Sequence, residues 1–183
     1  MKKIISLFQR NYDGDRLVRN EIVPGAEWVI NGEGVATRKF DGTCCLVRDG
    51  KLYKRYDAKA GKTPPDGFEP AQTEPDTNTG HWPGWLIIGD SPNDKYYREA
   101  DIPSEDGTYE LCGPKVQNNP ENFQSHVLIR HGSELLPSAP RTYDKLREYF
   151  YQNNNIEGIV WHHDDGRMVK IKGKDFGIKR KNP

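Results

Sequence analysis

The chain has 183 residues, with 27 Lys and Arg balanced by 27 Asp and Glu and 34% apolar residues, a size that fills one domain of 1–183 and hardly leaves room for two. A mean hydropathy of −0.91 would suit a disordered chain, but 4 Trp, 9 Tyr and 6 Phe supply large surfaces to bury, so a folded, aromatic-rich core is expected. No apolar run reaches the roughly 20 residues that span a bilayer, and the opening Met1-Lys2-Lys3-Ile4-Ile5-Ser6-Leu7-Phe8 is cut short by Gln9-Arg10, which argues against secretion and membrane insertion and for a cytoplasmic protein.

Along the chain, the first clear element is the β-type run Val35-Ala36-Thr37-Arg38. A hairpin follows, with Cys44-Cys45-Leu46-Val47-Arg48 and Lys51-Leu52-Tyr53-Lys54-Arg55-Tyr56 joined by Asp49-Gly50, a dipeptide that accepts the positive φ of a tight turn. In its second strand Tyr53 and Arg55 share one face and Leu52, Lys54 and Tyr56 the other. Gly61 to Gly84 holds 5 Pro and 4 Gly in 24 residues without periodicity and reads as a long surface loop. Strands are expected at Trp85 to Gly89, Thr108 to Cys112 and Val127 to Arg130. A single helix is expected over Tyr143 to Gln152, N-capped by Thr142, with Leu146, Tyr149 and Phe150 on one side. A second hairpin pairs Glu157-Gly158-Ile159-Val160-Trp161 with Arg167-Met168-Val169-Lys170-Ile171-Lys172 and carries Lys170 and Lys172 on one face. The class is α+β, mostly antiparallel, with few helices.

Zero net charge hides strong segregation. Arg38 to Lys62 holds eight basic and three acidic residues and Arg167 to Lys181 seven and one, while Pro64 to Glu110 holds eleven acidic and two basic. If the two basic segments lie together, the fold has a phosphate-binding face and an acidic, solubilising one. Cys44, Cys45 and Cys112 form neither a disulfide framework nor a metal knuckle, and the five histidines lack zinc-site spacing.

The chemistry centres on Lys39-Phe40-Asp41-Gly42-Thr43, which puts a lysine at a strand end beside a carboxylate and a glycine. Behind it, in order, come Lys54-Arg55, then Tyr109-Glu110-Leu111-Cys112-Gly113, Glu157-Gly158-Ile159-Val160 and Val169-Lys170-Ile171-Lys172. A lone strand glutamate or a Lys-x-Lys ladder is usually a wet face; the ordered set is far harder to reach by chance.

This set, over about residues 33 to 173, resembles the five motifs of the covalent nucleotidyltransferases, the superfamily of polynucleotide ligases and RNA capping enzymes. Lys-x-Asp-Gly-Thr-Cys-Cys, the stretch Gly113 to Pro120 and Leu128-Ile129-Arg130-His131-Gly132 are similar to the compact 5′-to-3′ RNA ligases known from vertebrates. The resemblance implies one nucleotidyltransferase (adenylation) domain and an ATP-dependent RNA ligase that needs Mg²⁺ or Mn²⁺. Lys39 would become the lysyl-AMP. Arg55 and Glu110 would hold the ribose and phosphate side, Glu157 a metal, and Asp41 the lysine or a metal-bound water beside Gly42. A lysine attacks phosphorus only when neutral, which nearby cations favour; Lys170 and Lys172 are the candidates and would also neutralise the departing pyrophosphate. Phe123 is a candidate platform for adenine, and the backbone of Thr37 and Arg38 a second contact for the base edge.

Only 11 residues follow Lys172, so the oligonucleotide-binding (OB) domain that DNA ligases and capping enzymes carry behind these motifs is not expected. Arg10, Arg16 and Arg19, or Lys179-Arg180-Lys181, could orient pyrophosphate in its place. The expected substrate is RNA with 5′-phosphate and 3′-hydroxyl ends, bound by a monomer through Lys54, Lys59, Lys62, Lys179, Arg180 and Lys181. Two alternatives stand beside this reading: a nucleotidyltransferase that uses GTP or acts on DNA, and a non-catalytic RNA-binding relative.

Overall fold

The computed structural model describes residues 2–77 and 79–181. In chain order its elements are β1 (Ile5–Ser6), β2 (Phe8–Arg10), β3 (Val18–Ile22), α1 (Glu27–Ile30), β4 (Val35–Lys39), β5 (Thr43–Arg48), β6 (Lys51–Ala58), β7 (Glu69–Pro70), β8 (Trp82–Ile87), α2 (Lys95–Arg98), β9 (Gly107–Cys112), β10 (Val127–Arg130), α3 (Tyr143–Gln152), β11 (Gly158–His162) and β12 (Met168–Lys172). It is a mixed α+β structure with few, short helices. Among the described residues every strand pairing is antiparallel except β1 with β12. Two compact units form: one from Ile4–Phe40 with 132–181, the other from Asp41–His131 with Lys3, which pairs with Asp76 at 3.0 Å.

The first unit is built on a four-stranded sheet in the order β1-β12-β11-β4, with β2 and β3 forming a separate ribbon. Because strand side chains alternate, Ala36, Ile159, Trp161, Val169 and Ile171 turn one face inward and are buried, while Thr37, Lys39, Lys170 and Lys172 fall on the other. Helix α3 adds Leu146 and Phe150, four residues apart on one face, to the same core, where Tyr143 packs edge to face with Phe8 and with Phe176, and Phe150 lies tilted against Phe176. Burying each such side chain stabilises the fold by about 1.5–3 kcal/mol. The helix has the span that its apolar spacing predicts, but Thr142 makes no side-chain capping bond, so packing holds this helix start.

The second unit is a six-stranded sheet, β10-β9-β5-β6-β8-β7, over a core of Cys45, Val47, Leu52, Tyr109 and Leu111 with Ala100 and Val116. The β5–β6 hairpin turns at Asp49 and Gly50, with φ of 51° and 67°, the mirror-image turn that matches strand twist. Three expectations need correction. The segment Gly61 to Gly84 is not all loop: Glu69–Pro70 pairs as an edge strand with the start of β8, which begins at Trp82 rather than Trp85 and ends at Ile87. Phe68 packs on Tyr56 and Trp82, so aromatic contacts, not periodicity, order this stretch. The single-helix expectation missed α1 and α2, four residues each, too short for a periodic signal. The acidic stretch is not simply a solubilising face, since Glu69 pairs with Arg48 at 2.7 Å and buried Asp94 pairs with Lys54.

Candidate active site

On the outer face of the four-stranded sheet, register sets the lysines. Gly158 of β11 is opposite both Lys39 of β4 and Lys172 of β12, and one row along Val160 is opposite both Thr37 and Lys170. Glu157, just before β11, bridges the two lysines: its Oε2 lies 2.6 Å from Lys39 Nζ and its Oε1 accepts from Lys172 Nζ. Lys39 Nζ also donates to its neighbour Phe40 O at 3.2 Å. Glycine is required at 158, because a Cβ there would lie 2.3 Å from Ile171 O. Burial pushes the Glu157 carboxyl up, but the charges of Lys39 and Lys172 outweigh it and hold the group below its usual range. Lys170 moves the other way. Burial, then the charges of Lys172 and Lys39, lower it to about 8.

A second carboxylate completes the cluster. Buried Asp175 accepts from Lys172 N at 2.9 Å and pairs with Arg10, whose Nη1 donates to Arg16 O at 2.8 Å. Lys39, Lys170, Lys172 and Arg10 thus face two carboxylates, an excess of positive charge suited to a polyanion. Sequence reasoning named Arg10 only as a spare cation and missed Asp175. The available signal was its position three residues after Lys172, where a side chain can close on the strand end as a cap.

In the other unit, nine-tenths-buried Glu110 accepts from Gly42 N at 3.1 Å through Oε1 and meets His131 Nε2 at 2.8 Å through Oε2. Gly42 approaches β9 so closely that a Cβ would lie 2.1 Å from Leu111 O; this crowding, not flexibility, is why a glycine stands there. Asp41 N donates to Glu121 Oε1 at 2.8 Å. Arg55 pairs with Asp57 at 2.9 Å and lies over the Trp85 ring at 5.6 Å. Phe123 is half-buried in a loop where the Asn119 side chain grips its N–H and C=O at 3.0 and 2.9 Å.

Lys39, Glu157, Lys170 and Lys172 therefore assemble in one unit, and Gly42 and Glu110 in the other. Thr37 is buried and its Oγ1 donates to Val160 O at 3.2 Å, while Arg38 N already donates to Glu134 O at 2.9 Å, which leaves that amide engaged rather than open to a base. Of the residues assigned to RNA, Lys54 is committed to Asp94 and Arg180 donates to Asn155 O at 2.9 Å, while Lys59, Lys62, Lys179 and Lys181 are exposed. No group of three or more His, Cys, Asp or Glu able to hold a metal occurs among the described residues. No helix among them is long and apolar enough to cross a membrane.

Fold and site together define a mixed α+β protein whose main sheet presents a lysine-rich face around a single glutamate. The sequence profile of RNA ligase 1 matches residues 100–183, a stretch that contains Glu110, Glu157, Lys170 and Lys172 but not Lys39. The chain is similar to RNA ligase 1 of Danio rerio, at 25% identity, and to RNA ligase 1 of Pongo abelii and of Mus musculus, each at 26%, the likeness covering 79% of this chain and 67% of each relative. It thus resembles the vertebrate RNA ligases.

Proposed function

We propose that the chain is an ATP-dependent RNA ligase, a nucleotidyltransferase that joins a 5′-phosphate to a 3′-hydroxyl through a lysyl-AMP. The observation that carries this reading is the Glu157 bridge between Lys39 and Lys172 beside desolvated Lys170; the similarity to RNA ligase 1 supports the choice of RNA. Neutral Lys39 Nζ attacks the α-phosphorus of ATP, a P–N bond forms and the P–O bond to pyrophosphate breaks. The proton that Lys39 sheds passes to Glu157, the carboxylate already in hydrogen-bond contact with it. Lys170, Lys172 and Arg10 hold the triphosphate and stabilise the charge gathering on pyrophosphate. The 5′-phosphate oxygen of RNA then takes the adenylyl group from Lys39, and the 3′-hydroxyl displaces AMP.

Mg²⁺ (or Mn²⁺) commonly binds through one or two carboxylates plus substrate phosphates, so either Glu157 or Asp41 would supply a carboxylate to it, and it would neutralise phosphate charge. Glu110 and Arg55 take the ribose and phosphate side, Phe123 the adenine, and Lys59, Lys62, Lys179 and Lys181 the RNA backbone.

Incubation with α-labelled ATP and Mg²⁺ followed by denaturation tests the reading: label that stays on the protein is expected. Label from GTP instead makes it a GTP-using enzyme, and label from neither makes it an RNA-binding relative without the reaction.

A further inference from the structure

Asp175 is an anion where the site has least use for one. It is 3% exposed, its charge is felt at Lys170, and beside a polyanion a buried carboxylate repels what the lysines attract. Capping does not account for it: the Lys172 N–H takes one oxygen, Oδ2 at 2.9 Å, and a neutral Asn would serve as well. The other oxygen pairs with Arg10 of β2, 165 residues away. Arg10 is held from its far side too, because its Nη1 donates to Arg16 O at 2.8 Å, in a turn where Arg16 sits at a φ of 60° and its N–H closes back on Asn11 O at 2.9 Å. A planar fork gripped by two such partners keeps one orientation, which a flexible ammonium would not. These contacts use two of the five N–H donors of an arginine, and the side chain is 26% exposed, so the guanidinium turns a fixed edge outward.

We propose that Asp175 is a positioning residue for the phosphate end of the site: it ties Arg10 to the end of β12, so that Arg10 and Lys172 meet a pyrophosphate group as one pair. This rests on the reading of the lysine face as the phosphate site, and every residue involved belongs to the unit of the four-stranded sheet. The ribbon β2–β3 carries none of the five motifs, and through this pair it becomes part of the site. Loss of the Asp175 charge should thus weaken the hold on an anion, the opposite of what Coulomb repulsion alone would do.

Equilibrium binding of inorganic pyrophosphate to the full chain reads this sign directly. Asp175→Asn, whose amide oxygen still caps Lys172 N, should weaken pyrophosphate roughly tenfold, the scale of one charge-assisted hydrogen bond. Arg10→Gln should weaken it as much, and the double variant no further, since each change breaks the same pair. Tighter or unchanged binding in Asp175→Asn, losses that multiply in the double variant, or no binding by the unaltered protein would overturn the proposal. A carboxylate that merely steadied the fold would lower the melting temperature and leave the affinity of the folded protein as it was. Should Asp175→Asn melt early, Arg10→Lys decides: it keeps the charge and loses the fork, so a loss of roughly tenfold is expected, and full affinity would show that charge suffices without positioning. Covalent labelling by α-labelled ATP is scored separately: weakened pyrophosphate binding in Asp175→Asn with no label on the unaltered protein retains the Asp175 assignment and removes the ligase reading, and label with pyrophosphate binding unmoved does the reverse.

Discussion

In the four-stranded sheet two lysines, Lys39 and Lys172, share the carboxylate of Glu157, and Lys170 is driven down to about 8 by burial and by its neighbours' charge. In the six-stranded sheet three of the four cations of β5 and β6 have a carboxylate of their own: Glu69 for Arg48, Asp94 for Lys54, Asp57 for Arg55. Cations with private counter-ions serve the fold and have little left for a ligand, whereas a shared carboxylate leaves positive charge that only an incoming anion can balance. The charge totals of the two basic segments are similar; their availability is not.

The sharpest break of this contrast is Lys39→Ala, which should abolish covalent labelling by ATP while leaving the melting temperature almost unchanged, since Lys172 still pairs with Glu157. Retained label would refute the assignment. Removing a carboxylate from each sheet comes next. Glu157→Gln should lower adenylylation at least 100-fold, whereas Asp94→Asn should leave adenylylation near normal and destabilise the fold by roughly 2 kcal/mol, below the figure for a fully buried pair because Lys54 is partly exposed; denaturant melts and labelling rates measured on both variants check the pairing. Gly158→Ala, which forces a Cβ against the Ile171 carbonyl, should destabilise by about 1–3 kcal/mol and depress labelling as β11 shifts away from its lysine rows.

Smaller effects probe the charge itself. Lys170, lowered from 10.5 to about 8, binds fewer protons folded than unfolded between those values, so its burial penalty is full below pH 8 and is relieved as pH rises towards 10.5. For a ligand the sign reverses: inorganic pyrophosphate needs Lys170 charged, so its affinity should fall as pH rises through about 8, and Lys170→Arg should flatten that fall. A flat profile in the unaltered protein would take Lys170 out of the phosphate site. The smallest change is expected from neutralising Lys179, Arg180 and Lys181 together. RNA affinity loses about 0.7–0.9 log units per log unit of salt for each phosphate contact, so the salt slope of ligation should flatten while adenylylation stays nearly intact. Equal damage to both steps would place this segment in the nucleotide site.

Much of the lysine face is legible along the chain because it rests on short-range rules. The run Val35 to Arg38 reads as a strand with Lys39 at its end, Met168 to Lys172 alternates with period two, and Asp49-Gly50 marks its hairpin, all as found. The ribbon β2–β3 and the edge strand β7 leave no such mark. Pro70 reads as a loop residue, yet an edge strand tolerates proline where no ladder bond is needed. His131 stood in a quoted motif, but nothing in the residues around it says that its Nε2 meets Glu110, 21 positions away.

The sequence by itself determined the longer elements and the residue types: where strands alternate, where helix α3 begins and ends, and that lysines, one glutamate and glycines recur in a set order, since propensity and periodicity act over a few residues. Only the tertiary structure decided which charges meet. Glu157 reaches Lys39 118 residues away and Arg10 reaches Asp175 165 residues away, through strand register and core packing. Coulomb interaction depends on distance in space, so whether a lysine is a neutralised strut or a spare cation is settled by the fold rather than by its neighbours in the chain.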